Sequence, residues 1–322
     1  MAERILITGG AGFIGSHLCE KLLNEGNQVV CLDNFNNYYD PRIKEDNLQT
    51  CLGNNSFSLY KGDILDRDLL SKIFDQEKIS KIVHLAARAG VRPSIEQPSL
   101  YEEVNILGTQ NLLEEAVKHN ISQFIFASSS SVYGTNKKIP FSEEDAIENQ
   151  ISPYAKTKKQ GEILCKRYSN EFDLDVTCLR FFTVYGPRGR PDMAPYKFVE
   201  KIMQGHQIEV YCSEEDFKRG NMIRDFTFID DIVKGISSSL NKKYKFEIFN
   251  LGRGEPVDLR EFINIIEGKL GREAKKVFIG RQKGDVSLTY SNIEKSRSLL
   301  GYNPSTSLKE GISEFVNWFQ TK

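Results

Sequence analysis

A chain of 322 residues is long enough to bury a substantial core, in one large domain or two intimate ones. Its 43 lysines and arginines against 44 aspartates and glutamates leave a net charge of −1, which excludes the basic surface of a duplex-coating protein. Six scattered cysteines (Cys19, Cys31, Cys51, Cys165, Cys178 and Cys212) form no C-x-x-C pair, which argues against a zinc site and a disulfide framework.

Short apolar runs predict strands at Arg4–Thr8, Gln28–Leu32, Phe57–Tyr60, Lys81–His84, Phe124–Ala127 and Val176–Arg180. Between them, segments such as His17–Leu23 and Asn105–Lys118 repeat apolar residues at three- and four-residue spacing, the period of an amphipathic helix. This alternation predicts an α/β fold, a Rossmann-type doubly wound parallel sheet with helices on both faces. After Gly186 the rhythm breaks, and Pro187, Gly189, Pro191 and Pro195 crowd a loop. Helices are predicted over Glu255–Lys269 and Ser307–Phe319, and a strand over Lys276–Ile279. We therefore expect a Rossmann-type domain over 1–182 plus roughly 226–250. A smaller mixed α/β lobe is expected over 183–225 and 251–322, with the ligand in the groove between them. No apolar run approaches the ~20 residues of a bilayer span, and the first residues lack a secretory layout. With cysteines that read as buried thiols in a reducing compartment, the expectation is a cytoplasmic protein.

The opening I-L-I-T-G-G-A-G-F-I-G places Gly9, Gly12 and Gly15 between a strand and a helix. Glycines there permit a tight turn and let a pyrophosphate approach the backbone N–H groups at a helix N-terminus. Asp33 ends the next strand 18 residues past Gly15, where a carboxylate accepts from both ribose hydroxyls and repels a 2′-phosphate. The expected cofactor is therefore NAD rather than NADP. Asp63 and Ile64, after the third strand, are candidates for the adenine. Phe13, Ile14, Asn34, Leu85, Ala86, Ala87, Asn105 and Phe181 complete the expected cofactor contacts.

Ser128-Ser129-Ser130-Ser131 follows the fifth strand, and Tyr154 and Lys158 stand four apart on one predicted helix face. An ammonium beside a phenol stabilises the phenolate, so Tyr154 is expected to act as a base near neutrality. The four histidines (His17, His84, His119 and His206) fall in structural or surface settings, and none is assigned to catalysis or to a metal.

Together these motifs resemble the short-chain dehydrogenase/reductase superfamily, and within it the extended branch of sugar-nucleotide epimerases and dehydratases. The resemblance spans nearly the whole chain. It implies Tyr154, Lys158 and Ser129 as the catalytic group, Ser129 being the residue 25 before Tyr154. The 4,6-dehydratases of that branch carry an Asp-Glu pair where this chain has Ser130 and Ser131, and hydroxyls cannot supply the acid and base that elimination of water needs. The decarboxylases carry acidic residues just after the tyrosine, where this chain has Ala155-Lys156-Thr157.

The string R-F-F-T-V-Y-G-P-R-G-R-P-D-M-A, from Arg180 to Ala194, and R-D-F-T-F-I-D-D-I-V-K-G, from Arg224 to Gly235, resemble the UDP-glucuronate 4-epimerases. The UDP-galactose 4-epimerases carry asparagine at the position of Thr183. That resemblance implies a UDP-sugar as partner, with Arg190 and Arg224 on the diphosphate, whose oxygens suit the paired donors of a guanidinium. It further implies Gln282 and Asp285 near the phosphate or uridine ribose and Tyr211 over the uracil. Ser130, Ser131 and Thr183, with neighbouring backbone N–H groups, are expected to hold the sugar carboxylate. A homodimer through a four-helix bundle, built from the helices around Leu100–Lys118 and Pro153–Phe172, is also implied. Two other readings stay open: a 4-epimerase of neutral UDP-hexoses or UDP-N-acetylhexosamines, and a non-catalytic NAD-binding sensor.

Overall fold

The computed structural model describes residues 2–280 and 286–322. Six strands follow the predicted runs to within two residues: β1 (Arg4–Thr8), β2 (Gln28–Asp33), β3 (Phe57–Lys61), β4 (Lys81–His84), β5 (Gln123–Ser129) and β6 (Val176–Phe181). Beyond them come β7 (Thr183–Tyr185), β8 (Gln207–Val210), β9 (Ile223–Arg224), β10 (Phe226–Phe228) and β11 (Phe246–Leu251). Two further strands, β12 (Val257–Asp258) and β13 (Lys275–Phe278), close the series among the described residues.

The central sheet has seven parallel strands in the order β11-β6-β5-β4-β1-β2-β3. Side chains alternate across a strand, so Ile5 and Ile7 of β1 enter one core while Leu6 enters the other. Leu18 and Leu22 of the helix Phe13–Asn24 cover the first face with Ile229 and Ile232 of the helix Ile229–Leu240. Leu112 and Leu113 cover the second face from the helix Gly108–Lys118. The first core continues through Phe226, Phe262 and Phe315, so the C-terminal half packs into it as well.

Three two-stranded pieces build the C-terminal half: β7 with β10, β9 with β12, and β8 with β13. The helix Leu308–Thr321 begins at a capping box of Ser307 and Glu310, as the sequence predicts for Ser307–Phe319. Glu255–Lys269 is only partly helical, because Val257 and Asp258 pair with β9 and Asp258 then caps the helix Leu259–Leu270. Among the described residues no helix is long and apolar enough to cross a membrane. Strand order reverses between β1 and β4, and the carboxyl ends of those strands are where an open α/β sheet presents a ligand crevice.

Candidate active site

A cleft of about 920 Å³ opens at that switch point. Gly9 leaves β1 with φ +69°, and a side chain on it would stand 2.8 Å from the Ala86 backbone nitrogen on the loop after β4. A β-carbon on Gly15 would collide with the Gly9 carbonyl oxygen, so the helix Phe13–Asn24 starts pressed against the turn. The helix N-terminus thereby faces the cleft across Gly12, its N-cap. Asp33 is buried at the end of β2, accepting N–H bonds from Ala11 (3.2 Å) and Phe35 (2.8 Å). Its Oδ1 also takes the ammonium of Lys44 at 3.0 Å. A carboxylate offers about four acceptor positions, so three donors leave room for a ribose hydroxyl. Asp63 is tied to the same loop, accepting from the Asn34 side chain at 2.7 Å. Phe13, Ile14, Ile64, Leu85, Ala86, Ala87 and Phe181 line the walls.

Asn105 departs from this pattern. It lies on a π-helical turn, Glu103–Leu107, where its amide brackets the Arg88 backbone: Oδ1 accepts from Arg88 N at 2.7 Å and Nδ2 donates to Arg88 O at 3.0 Å. Nδ2 also donates to the Thr157 hydroxyl, so the side chain is spent on protein and does not line the cleft. Its role is to fix the loop that follows β4. Such π-bulges recur at functional sites, and no spacing rule announces them.

The helix Pro153–Phe172 begins at Ser152, whose hydroxyl accepts the Ala155 N–H, with Pro153 in the first turn. That cap sets Tyr154 and Lys158 one turn apart on the face toward β5. Burial raises the Tyr154 phenol above its ordinary value, opposed by a hydrogen bond from Ser129 and by the charge of Arg190. The Ser129 hydroxyl also accepts the Ser131 N–H at 3.1 Å, which leaves its own proton for Tyr154 or a ligand oxygen. Lys158 donates to the Ala127 carbonyl at 2.8 Å and lies 6.0 Å from the centre of the Tyr154 ring. Burial brings its ammonium down to about 8. The Ser129 hydrogen bond and then the Arg190 charge thus oppose burial at Tyr154, with the Lys158 ammonium one turn along the same helix.

Ser130, Ser131 and Thr183 line the same cleft, and the Ser131 hydroxyl is buried without a partner among the described residues. The Ser131 N–H, taken by Ser129, is not available to a ligand. Arg190 is gripped by Asp192 and approaches Tyr154 closely enough to influence it. Arg224 sits on β9 beside the buried Asp225, which accepts from Ser291, Arg253 and Gly254 and so fixes the loops around it. Tyr211 lines the cleft with its ring under the Arg92 guanidinium at 4.0 Å and its hydroxyl on Glu209 at 2.6 Å. Gln282 and Asp285 lie outside the described residues. Sequence reasoning missed Tyr38, Lys44, Arg88 and Arg92, all of which line the cleft. The arginines of A-A-R-A-G-V-R-P could have been found, since they follow β4 at the switch point.

A family model described as GDP-mannose 4,6 dehydratase matches residues 6–315. UDP-glucuronate 4-epimerase 1 of Arabidopsis thaliana is 43% identical over 98% of this chain and 76% of its own length. The crystal structure of UDP-glucuronic acid 4-epimerase from Bacillus cereus, in complex with UDP-glucuronic acid and NAD, superposes with a TM-score of 0.91 at 36% identity, covering 99% of each chain. UDP-glucose 4-epimerase from Thermotoga maritima, solved with UDP-glucose, gives 0.90 at 30% identity, again over 99% of each chain. With nearly all of its length matched, the chain belongs to the GDP-mannose 4,6 dehydratase family, a family of NAD-dependent epimerases and dehydratases.

Proposed function

We propose that this chain interconverts UDP-glucuronate and UDP-galacturonate at C4, using a tightly held NAD. The observation that carries the reading is the grouping of Tyr154, Lys158 and Ser129 in one cleft with the hydroxyls of Ser130, Ser131 and Thr183. That cleft pairs a proton-transfer group with neutral donors, and the dehydratase Asp-Glu pair is replaced by Ser130 and Ser131. The unpartnered Ser131 hydroxyl supports a ligand carboxylate there, since a buried donor left unmade is costly. The similarity to the Arabidopsis and Bacillus cereus UDP-glucuronate 4-epimerases points the same way.

The cradle fits NAD: Gly9 and Gly15, where a β-carbon would strike backbone, let the turn press against the helix N-terminus that faces the cleft, and Asp33 keeps one acceptor position. When bound, NAD supplies the hydride acceptor at C4 and the hydride that later returns to the opposite face of the sugar. The protein's part is proton transfer and restraint. Tyr154 takes the proton of the C4 hydroxyl, Ser129 donates to that oxygen, and Lys158 stands over the same ring. Arg190 and Arg224 hold the diphosphate while the sugar turns. A C4 ketone is beta to the C6 carboxylate and favours loss of carbon dioxide. Ser130, Ser131 and Thr183 hold that carboxylate so that the C5–C6 bond is not aligned with the carbonyl π system.

We read residues 1–182 and 226–250 as the cofactor half, and 183–225 and 251–322 as the sugar half. A homodimer through the helices around 100–118 and 153–172 is supported by Leu107 and Ile163, 45% and 59% exposed on those helices. A 4-epimerase of neutral UDP-hexoses is the second reading, favoured by the likeness to the Thermotoga maritima enzyme. A non-catalytic sensor has no use for the Tyr154 group. Assay of UDP-glucuronate, UDP-glucose and UDP-N-acetylglucosamine without added cofactor tests the proposal. Sites that leave buried donors unpaired reject a substrate lacking the partner group by roughly 10⁴ in kcat/KM. Comparable turnover of UDP-glucose would replace the proposal with the second reading.

A further inference from the structure

The guanidinium of Arg190 is held from two sides. Its Nε and Nη2 donate to Asp192 Oδ1 and Oδ2 at 2.9 and 2.6 Å, a paired geometry that fixes the plane of the group. Its Cζ lies 5.6 Å from the centre of the Tyr38 ring, and the Tyr38 hydroxyl donates to Asp192 Oδ2 at 3.2 Å. The remaining Nη1 makes no hydrogen bond to a described residue, which leaves it for a ligand.

Tyr38 stands 154 residues from Asp192 in the chain, on the loop that leaves β2 directly after Asp33. That loop is itself laced together. Asn36 accepts the Tyr38 N–H at 3.1 Å, Asn34 accepts the Asn36 N–H at 3.1 Å, and the Asn34 amide reaches Asp63. A chain of direct contacts therefore runs from the cofactor side of the cleft, at Asp33 and Asp63, to the arginine on the sugar side. The Tyr38 hydroxyl and ring carry it across.

We propose that Asp192 and Tyr38 form a latch that positions Arg190 and makes retention of the dinucleotide depend on occupation of the UDP subsite. The inference rests on the reading of this cleft as one for NAD and a UDP-sugar. A diphosphate that engages Arg190 holds the Arg190–Asp192 pair still. Through the Tyr38 hydroxyl it then holds the loop that begins at Asp33. Coupling between two ligands is reciprocal in affinity, so each tightens the binding of the other. A charge-assisted hydrogen bond of this kind supports a coupling of roughly five- to tenfold.

The test measures the rate of NAD release from the loaded protein, with and without saturating UDP, while calorimetry follows UDP binding separately. In the wild type, UDP slows release about five- to tenfold. In Tyr38→Phe, which keeps the ring over Arg190, and in Asp192→Asn, the slowing falls below about twofold, and the double variant is no worse than either single one. A merely structural role would speed release equally with and without UDP and leave the ratio intact, and that result would overturn the latch. Failure of UDP to bind the wild type at all would instead overturn the functional reading, and the latch with it.

Discussion

Lys44 and Asp33 form a buried ion pair, Nζ to Oδ1 at 3.0 Å, with both side chains less than a tenth exposed. The helix Pro41–Asn47 delivers Lys44 to a carboxylate that, among the described residues, otherwise holds two backbone N–H groups. Removing one partner of such a pair leaves an uncompensated charge in low dielectric. Lys44→Met is therefore expected to cost on the order of 3 kcal/mol in chemical denaturation. Lys44→Met with Asp33→Asn should recover much of that loss while still failing to retain NAD. Equal stability of Lys44→Met and wild type would show that the pair is solvated in solution.

Tyr154→Phe is expected to abolish turnover while UDP-sugar binding stays within about tenfold, because only the proton acceptor is lost. Since the Ser129 hydrogen bond and then the Arg190 charge pull the buried phenol down, Arg190→Gln should move the acid limb of the pH–rate profile upward. The sign follows from the phenolate being the active base: a higher phenol pKa leaves less of it at any given pH. Lys158→Met should slow the reaction strongly and also move that limb upward. An unmoved limb in Arg190→Gln would contradict the electrostatic assignment.

Burial, with the charge of Lys158, depresses His84 to about 3. Its two ring nitrogens meet the Thr8 and Thr109 hydroxyls at 2.7 and 2.9 Å, which suits the neutral ring. An unfolded histidine titrates near 6.5, so between that pH and about 3 the unfolded chain binds a proton that the folded one does not. Stability should thus be lost as pH falls through this window, by at most about 1.4 kcal/mol per unit from this residue, and be unaffected by it above. The check is denaturation of wild type and His84→Gln from pH 7 to 4. The variant should show the flatter dependence, and parallel curves would exclude His84 as the source.

Thr183→Ala should release some UDP-pentose and carbon dioxide from UDP-glucuronate, because a loosened carboxylate rotates into alignment with the C4 ketone. Mass analysis of the product detects the loss directly. Products identical to wild type would remove Thr183 from the carboxylate site.

What was legible in the sequence was local. Gly9, Gly15 and Asp33 are set by a strand–turn–helix spacing, and Tyr154 with Lys158 by one helical turn, so their places followed from the chain alone. What escaped was assembled by distance in sequence. Tyr38 meets Asp192 only because the loop after β2 reaches across the cleft. Lys44 meets Asp33 only because the helix Pro41–Asn47 turns back over it. Asp192 stood inside the quoted motif, yet nothing in the string said that it grips Arg190. Asn105 was placed on the cofactor side, but its π-turn directs the amide to the Arg88 backbone. The strand β11 was not assigned because F-E-I-F-N-L mixes polar residues into a short run, and its pairing with β6 supplies what the pattern lacks.

In the proposed reaction, hydride leaves C4 of UDP-glucuronate and returns to the same carbon without exchanging with water or with free cofactor. The direct measurement uses UDP-glucuronate deuterated at C4, incubated with the purified protein in ordinary water without added NAD, with the product examined by NMR and mass. The expected product is UDP-galacturonate that keeps its deuterium at C4, formed at a rate lowered by a primary isotope effect. Loss of the label to solvent, its appearance in released NADH, or the absence of UDP-galacturonate would contradict the proposed reaction.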